Sequence, residues 1–298
     1  MEASSSFLGL ILFIMSTLLY FVFKMMYGKD VYDKDEFGDV KRNNDGSPKI
    51  LYTAKSIKRK IFFLYFLIVI ISQLIVNISV LNLICQTSIA SVAFPAIIYT
   101  IIPWILIFGV IKVVLVLLPG WKAPFSNTFG YLIALIFGLK TTVREVLKPM
   151  SLEDDDKVLE GDQLKSFQTL REIYKDDSIL INEITPENFD NFWRIMLKSQ
   201  LIKTEHEVKQ IPGKNLTLDK LRGNLQWFVG LKDDISEMIW FLLSGSLIST
   251  VVYNNISQYK CEYSASDIMA QDAKYKQSLD KQEKETEAGK NKIYYSSQ

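Results

Sequence analysis

Three apolar segments, each long enough to cross a membrane as a helix, constrain this chain more than any other feature. They cover residues 7–27, 61–85 and 94–118. A hydrocarbon core about 30 Å thick requires about 20 apolar residues in helical form, and each segment meets that length. Several such runs with so few charges are not compatible with a soluble protein. The sequence therefore predicts an all-α integral membrane protein.

Two further apolar segments are shorter, at residues 123–139 and 238–253. The segment at 238–253 is predicted to be the last transmembrane helix. The chain would then have five transmembrane helices if the segment at 123–139 also spans, and four if it does not. The predicted parts are an N-terminal signal-anchor helix (1–28), a polar loop (29–60), a helical hairpin plus a short or re-entrant helix (61–140), a polar helical region (141–236), the last transmembrane helix (237–254) and a charged tail that is disordered or a solvated helix (255–298).

Apolar residues in the polar region recur at spacings of three and four. This periodicity covers residues 164–174, 189–201 and 218–228, and it is typical of amphipathic helices. Three short helices of this kind can bury a small core. Their aromatic residues are predicted to be core residues rather than a cofactor site.

Three consecutive basic residues, Lys58, Arg59 and Lys60, stand directly before the second long span. By the positive-inside rule they place the loop at residues 29–60 on the cytoplasmic side. A second interpretation is that they bind anionic lipid headgroups. The sequence leaves both interpretations open.

The stretch at residues 117–139, which we call the elbow, joins the third long span to the shorter apolar run. Pro119 and Pro124 stop one helix and begin the next. Between them, Trp121 and Lys122 are residue types that favour a membrane interface. The elbow is therefore predicted to be a rigid turn at the membrane surface.

The helix after this turn is expected to be capped by Ser126 or Asn127. Both of its flanks are basic, with Lys122 before it and Lys140 after it. The charge rule therefore allows two topologies. In one, the elbow re-enters or lies at the interface, and residues 141–236 are cytoplasmic; in the other it spans, and they are external.

The two cysteines, Cys85 and Cys261, distinguish these topologies. A re-entrant elbow puts both on the external side, where they could form a disulfide. A spanning elbow puts them on opposite sides of the membrane, where they could not.

A few polar residues lie inside the predicted spans. Gln73 and Asn77 are four residues apart, so they share a helix face that is expected to pack on another helix or to line a substrate path. Lys112 has no acidic partner in any predicted span, and it would either snorkel to the interface or be a functional buried charge. The last span carries a small-residue face suited to oligomer formation, made of Ser244, Gly245 and Ser249.

The sequence offers no constellation for catalysis. It has two cysteines and one histidine, His206, which lies in a charged and exposed stretch. It has no phosphate-binding glycine loop and no zinc-protease motif. We therefore expect no enzyme activity, no cofactor and no metal, and the net charge of +1 gives no reason to expect nucleic acid binding.

The elbow carries a family resemblance. Its Pro-Gly-Trp element at residues 119–121 and its Pro-Phe-Ser-Asn-Thr-Phe-Gly-Tyr element at residues 124–131 resemble a segment of multi-spanning membrane proteins of nucleocytoplasmic large DNA viruses. The resemblance implies a virion protein of the internal lipid membrane beneath the capsid, and it brings no catalytic residues. The candidate partner-binding residues of the elbow are Pro119, Gly120, Trp121, Pro124, Phe125 and Asn127.

Two functions follow as hypotheses. The first is a structural protein of a viral internal membrane, or of the host endoplasmic-reticulum membrane from which it derives, anchoring capsid or core components to lipid. Its partners would be the bilayer and capsid or other virion membrane proteins. The alternative is a channel or small-molecule transporter, which rests on Gln73, Asn77, Lys112 and a helix kink at Pro103.

Overall fold

A computed structural model describes residues 2–33, 35, 41–43, 49–148, 171–173, 175–209, 217–261, 263 and 265–292. Four of its helices are long and apolar enough to cross a membrane, which confirms an all-α protein with candidate transmembrane helices. They are α1 (Glu2–Tyr27), α2 (Ala54–Cys85), α3 (Ile89–Leu117) and α9 (Leu218–Ser257).

The other described elements do not belong to these candidate membrane spans. Two strands, β1 (Val31–Tyr32) and β2 (Ile50–Tyr52), form an antiparallel pair between α1 and α2. The remaining helical elements of the described residues are α4 (119–136), α5 (Leu139–Val146), α6 (Asp177–Asn182), α7 (Phe189–Lys198), α8 (Glu205–Lys209) and α10 (Ala265–Lys292). The predicted amphipathic segment at 164–174 falls outside the described residues apart from 171–173.

Neighbouring long helices run in alternating directions. Gln73 of α2 donates to the carbonyl oxygen of Gly9, and Thr17 bonds Tyr65 at 2.9 Å, so α2 is antiparallel to α1. The end of α2 lies beside the segment that follows α9, because Cys85 and Cys261 form a disulfide with their Cα atoms 5.5 Å apart. We call this the cysteine end of the bundle. The opposite end, where α1 finishes, we call the charged end.

An aromatic core fills the bundle between these ends. Phe13, Trp104, Phe108 and Phe241 are almost completely buried, with ring centroids 4.8–5.7 Å apart for the contacting pairs Phe13–Trp104, Trp104–Phe108 and Phe108–Phe241. Such tilted pairs add to the stabilisation from burial alone. Near Pro103, the helix α3 adopts a wider π turn, because proline supplies no N–H and its ring displaces the preceding carbonyl.

Gly245 lets α1 and α9 approach closely. A Cβ at this position would lie 2.0 Å from the ring of Phe13, so only glycine fits. Ser244 is also buried and donates to the carbonyl oxygen of Trp240. The small-residue face expected to mediate oligomer formation is therefore used within the chain at these two positions.

A second hydrophobic core lies beyond the charged end, around the first half of α9. Its members are buried side chains from α5, α6, α7 and α9, and they include Leu139, Ile181, Trp193, Leu225 and Val229. We call it the polar-region core, since most of it comes from the predicted polar region. The boundary predicted at residues 236/237 falls inside α9, because the apolar stripe at 218–228 and the last span follow one another without a break in the helix.

Candidate functional site

The elbow packs along α9 rather than standing free at the surface. Lys122, Ser126, Gly130 and Ala134 are buried and recur every fourth residue, so they form one face of α4. The opposite face is exposed and apolar, and its residues include Trp121, Phe129, Leu132 and Ile136; the exposed Phe137 follows directly after α4. An outward apolar face on a helix of a membrane protein is suited to contact with lipid.

Backbone groups of the elbow are bonded by side chains of α9. The hydroxyl of Ser236 donates to the carbonyl oxygen of Lys122 at 2.6 Å. The indole N–H of Trp240 donates to the carbonyl oxygen of Trp121 at 2.9 Å. Gly130 allows the two helices to touch, since a Cβ there would lie 2.6 Å from the carbonyl oxygen of Lys232.

Two elbow residues predicted to bind a partner are used inside the chain. Phe125 meets the ring of Trp240 edge to face, with centroids 5.3 Å apart. Asn127 accepts from the ammonium of Lys232 at 3.1 Å. The prediction that Ser126 or Asn127 caps a helix is wrong, because the helical backbone already begins at Pro119 and both residues lie within it. Pro119, Gly120, Trp121 and Pro124 remain exposed.

Lysine 122 is a buried ion-pair partner. Its ammonium lies 2.7 and 2.8 Å from the two carboxylate oxygens of Asp233 on α9. Only 9% of Lys122 is exposed, so the lysine that the sequence assigns to the membrane interface is buried against α9. The pair fixes the start of α4 against α9.

Four further charges meet next to this pair. Glu237 of α9 bonds Lys24 of α1 with one carboxylate oxygen and Lys112 of α3 with the other. Lys24 also lies 2.7 Å from Asp234. The carboxylate of Glu237 therefore joins three helices of the bundle at the charged end.

The partner of Lys112 corrects the expectation that no acid is available to it. Glu237 stands one residue before the apolar run at 238–253, so the sequence assigns it to the polar region. In the fold it lies in the same helix as that run and faces the bundle. Lys112 is thus a paired charge, and its ammonium also lies over the rings of Phe62 and Phe241, at 4.8 and 5.5 Å from their centroids.

The charged layer, as we call these six residues, is balanced. It contains three ammonium groups and three carboxylates: Lys24, Lys112, Lys122, Asp233, Asp234 and Glu237. Glu237 is 4% exposed and Lys24 is 6% exposed. Removing one partner from a buried ion pair typically costs about 3–5 kcal/mol, because the remaining charge is left without compensation. The layer is therefore a strong constraint on how the helices assemble.

Polar residues deeper in the bundle are also paired within the chain. The amide of Asn77 donates to the hydroxyl of Thr100 at 2.8 Å, and Gln73 bonds the backbone of α1 at 2.7 Å. The prediction that this face of α2 packs on another helix is confirmed. Both side chains are buried, with Gln73 3% and Asn77 6% exposed.

The basic triplet before the second span occupies the first turns of α2. Lys58 packs on Gly28, where a Cβ would lie 2.9 Å from its side chain. The ammonium of Lys60 lies 4.7 Å from the ring centroid of Tyr52, and Arg59 is exposed. The three residues thus have different surroundings, although all lie at the charged end.

The single histidine is exposed, as the sequence predicts. It lies in α8, whose start is stabilised by a reciprocal pair of bonds between Thr204 and Glu207. The backbone N–H of Thr204 holds the pKa of Glu207 below its usual value. Nearby, burial lowers the pKa of Lys203, whose ammonium donates to the carbonyl oxygens of Arg144 and Glu145.

The charged layer is the feature that sequence reasoning missed. Its acids lie at positions 233, 234 and 237, which place them on adjoining faces of one helix. The sequence signal that could have found this layer is a set of three acids directly before an apolar run. Two predicted spans also carry one lysine each. The sequence alone does not show that Lys24 and Lys112 reach the same carboxylate.

Comparison with known proteins finds no relative of this chain. No protein-family model, no curated protein and no solved structure matches this chain.

Proposed function

We propose that this chain is a structural membrane protein that holds a small helical domain, the polar-region core, at one face of a lipid bilayer. The observation that carries the proposal is the continuity of α9. Phe241 and Ile248 belong to the core of the bundle, while Leu221 and Leu225 belong to the polar-region core. A single helix of 40 residues is about 60 Å long at about 1.5 Å per residue, roughly twice the thickness of the hydrocarbon core.

The proposed orientation places the charged end in the cytoplasm. Lys58, Arg59 and Lys60 at that end support it through the positive-inside rule. The disulfide of Cys85 and Cys261 at the other end agrees, because disulfides persist in oxidising compartments. In this orientation the polar-region core is cytoplasmic and α10 is on the opposite side.

The proposed place of the elbow is the membrane interface. A disulfide between Cys85 and Cys261 requires an even number of membrane crossings between them. Helices α3 and α9 provide two crossings. The elbow then contributes none, and its apolar face, with Phe129 and Ile136 exposed, would rest in lipid.

The proposed membrane is the internal membrane of a virion, or the endoplasmic-reticulum membrane from which it derives. The resemblance of residues 119–131 to viral membrane proteins supports this. Capsid or other virion membrane proteins would bind the polar-region core or the exposed elbow residues. We would test it by mass spectrometry of purified virions after detergent stripping, where the chain is expected in the membrane fraction; its absence there would contradict the proposal.

Co-purification would test the elbow as a docking surface. Trp121→Ala should reduce the recovery of a bound virion protein while membrane insertion is unchanged. Phe129→Ala, which alters another exposed aromatic residue of α4 outside the candidate set, is the matched control. Equal recovery with both variants and the unaltered protein would count against a partner at this surface.

A channel or small-molecule transporter is the second candidate. The observation that favours it is the set of buried charges between α1, α3 and α9, since ionisable groups inside a membrane often mark an ion or substrate path. Flux through vesicles containing the purified protein separates the two functions. Flux that Lys112→Met abolishes would favour transport, and no flux would favour the structural function.

A further inference from the structure

We propose that a cavity at the charged end binds a phosphate group at the membrane surface, carried by a lipid headgroup or by a soluble phosphate ester. The cavity has a volume of about 400 Å³ and lies between the end of α1, the start of α2 and the first half of α9. The residues on which the proposal rests are Gly28, Lys29, Lys58, Gly223, Trp227 and Gly230, all of which line it.

Two cations in this cavity are available to a ligand. Within the described part of the chain, neither Lys29 nor Lys58 makes an ion pair, whereas Lys24 at the cavity floor is paired with Asp234. The carboxylate of Asp30 accepts the first N–H of α2, from Ala54, at 2.5 Å. Three lysines against two aspartates leave the lining with an excess of one positive charge.

Glycines on α9 keep the cavity open. Gly223 and Gly230 are seven residues apart, so they share one face of the helix. A Cβ at either position would meet no atom within 4 Å, so close packing does not require glycine there. Glycine inside a helix costs about 1 kcal/mol relative to alanine. The two glycines therefore lower the stability of the helix α9, and they leave open space beside two lysines.

The level of the cavity matches the headgroup layer of a membrane. Tyr27, Tyr52 and Trp227 surround this end of the bundle, and each is between 41% and 57% exposed. Tyrosine and tryptophan favour the membrane interface, where the headgroup phosphates lie. Lys58 is then held at phosphate depth by its packing on Gly28, and its ammonium can form a charge-assisted hydrogen bond.

Native mass spectrometry of the full-length chain in detergent tests the proposal, with phosphatidylglycerol as the probe. Lys58→Ala should weaken binding by about tenfold or more, the usual effect of losing a hydrogen bond to a charged group. Arg59→Ala is the matched control, because it removes the same charge from the next residue, which does not line the cavity. Equal losses with both variants would show only general attraction to a basic surface and would overturn the proposal.

A filling variant separates binding from folding. Gly230→Leu should place a side chain in the open space and abolish binding, while the unfolding temperature stays equal or rises because leucine favours the helix. Unchanged binding in a folded Gly230→Leu protein would overturn the proposal. The proposed structural function does not depend on the cavity. The chain should therefore appear in the same virion fraction whichever result is obtained.

Competition identifies the carrier of the phosphate group. Glycerol 3-phosphate at millimolar concentration should displace the lipid if the site takes a soluble ester. If it does not displace phosphatidylglycerol, and the Lys58→Ala loss is observed, the ligand is a lipid headgroup.

Discussion

The two ends of the helix bundle are held by different chemistry. At the cysteine end, Cys85 and Cys261 connect α2 to the segment after α9 through a covalent bond. At the charged end, Glu237 connects α9 to α1 and α3 through Lys24 and Lys112. Lipid chains are as apolar as the helix surfaces, so helices in a membrane gain little from hydrophobic burial against each other. The comparison teaches that this bundle is fixed at its ends by a disulfide and by ion pairs, and in its middle by close packing with a few hydrogen bonds such as that of Asn77 to Thr100.

Glu237→Gln is expected to have the largest effect, because it breaks the charged end. It leaves Lys24 with one acidic partner and Lys112 with no acidic partner among the described ion pairs. The free energy of unfolding should fall by about 3–5 kcal/mol, measured by denaturant unfolding in detergent. Removing the stranded charge with Lys112→Met should recover part of the loss.

Asp272→Asn is the control for this change, since Asp272 forms an exposed pair with Lys276 on α10. Exposed pairs contribute about 0–1 kcal/mol. If Glu237→Gln cost no more than Asp272→Asn, the charged layer would not constrain the bundle.

Cys261→Ser removes the disulfide that holds the cysteine end. The disulfide closes a loop between residues 176 positions apart, and its loss should reduce the free energy of unfolding by about 2–4 kcal/mol. The double variant, with Cys85→Ser as well, should match the single one, because both lack the bond. A reducing agent should lower the unfolding temperature of the unaltered protein and leave both variants unchanged; an equal response in all three would contradict the disulfide.

Gly245→Ala tests the middle of the bundle. The added methyl group would overlap the ring of Phe13, and overpacking of this kind costs about 1–3 kcal/mol. Gly109→Ala is the matched control in another long helix, since a Cβ there meets nothing within 4 Å. Phe13→Leu should partly relieve the overlap. Equal stability of the two alanine variants would show that α1 and α9 do not approach as described.

Thr204→Ala should have the smallest effect and leave both ends intact. It removes the hydroxyl that bonds Glu207 and leaves the backbone N–H bond to Glu207 in place, so it should cost about 1 kcal/mol, seen as faster amide exchange in α8 alone. The pKa of Glu207 is lowered in the folded protein, so its contribution is present at neutral pH and is lost as the pH falls through that lowered pKa. The largest cause of the lowered pKa, the backbone N–H of residue 204, remains in the variant, so the pH dependence should be largely retained; exchange that changes in α1 or α2 would contradict a local role.

The sequence was sufficient for features that depend on length and local spacing. Apolar length identified three of the four long helices, and the last span was predicted from a shorter run inside α9; the four-residue spacing of Gln73 and Asn77 identified a face that packs on another helix. These are properties of single helices, which periodicity records directly. The disulfide was foreseen only as a consequence of one of two topologies.

The charged layer could not be derived in the same way. Lys24 and Lys112 are separated from Glu237 by 213 and 125 residues, and the register between helices so far apart is set by packing that one sequence does not reveal. The predicted helix cap in the elbow was wrong for a different reason. Its prolines suggested that the helix begins after Pro124, yet the backbone is helical from Pro119 onward, so Asn127 is an interior residue instead of a cap.

The position of Glu237 in the chain has a consequence for biosynthesis. Ribosomes add about 5–20 residues per second, so the 125 residues between Lys112 and Glu237 take roughly 6–25 s to translate. During that interval the lysines of α1 and α3, the candidate membrane spans, lack the counter-charge of Glu237. The nascent bundle must therefore wait for α9 before it can close, and a chain truncated before residue 234 would leave Lys24 and Lys112 without their acidic partners and expose two unneutralised cations.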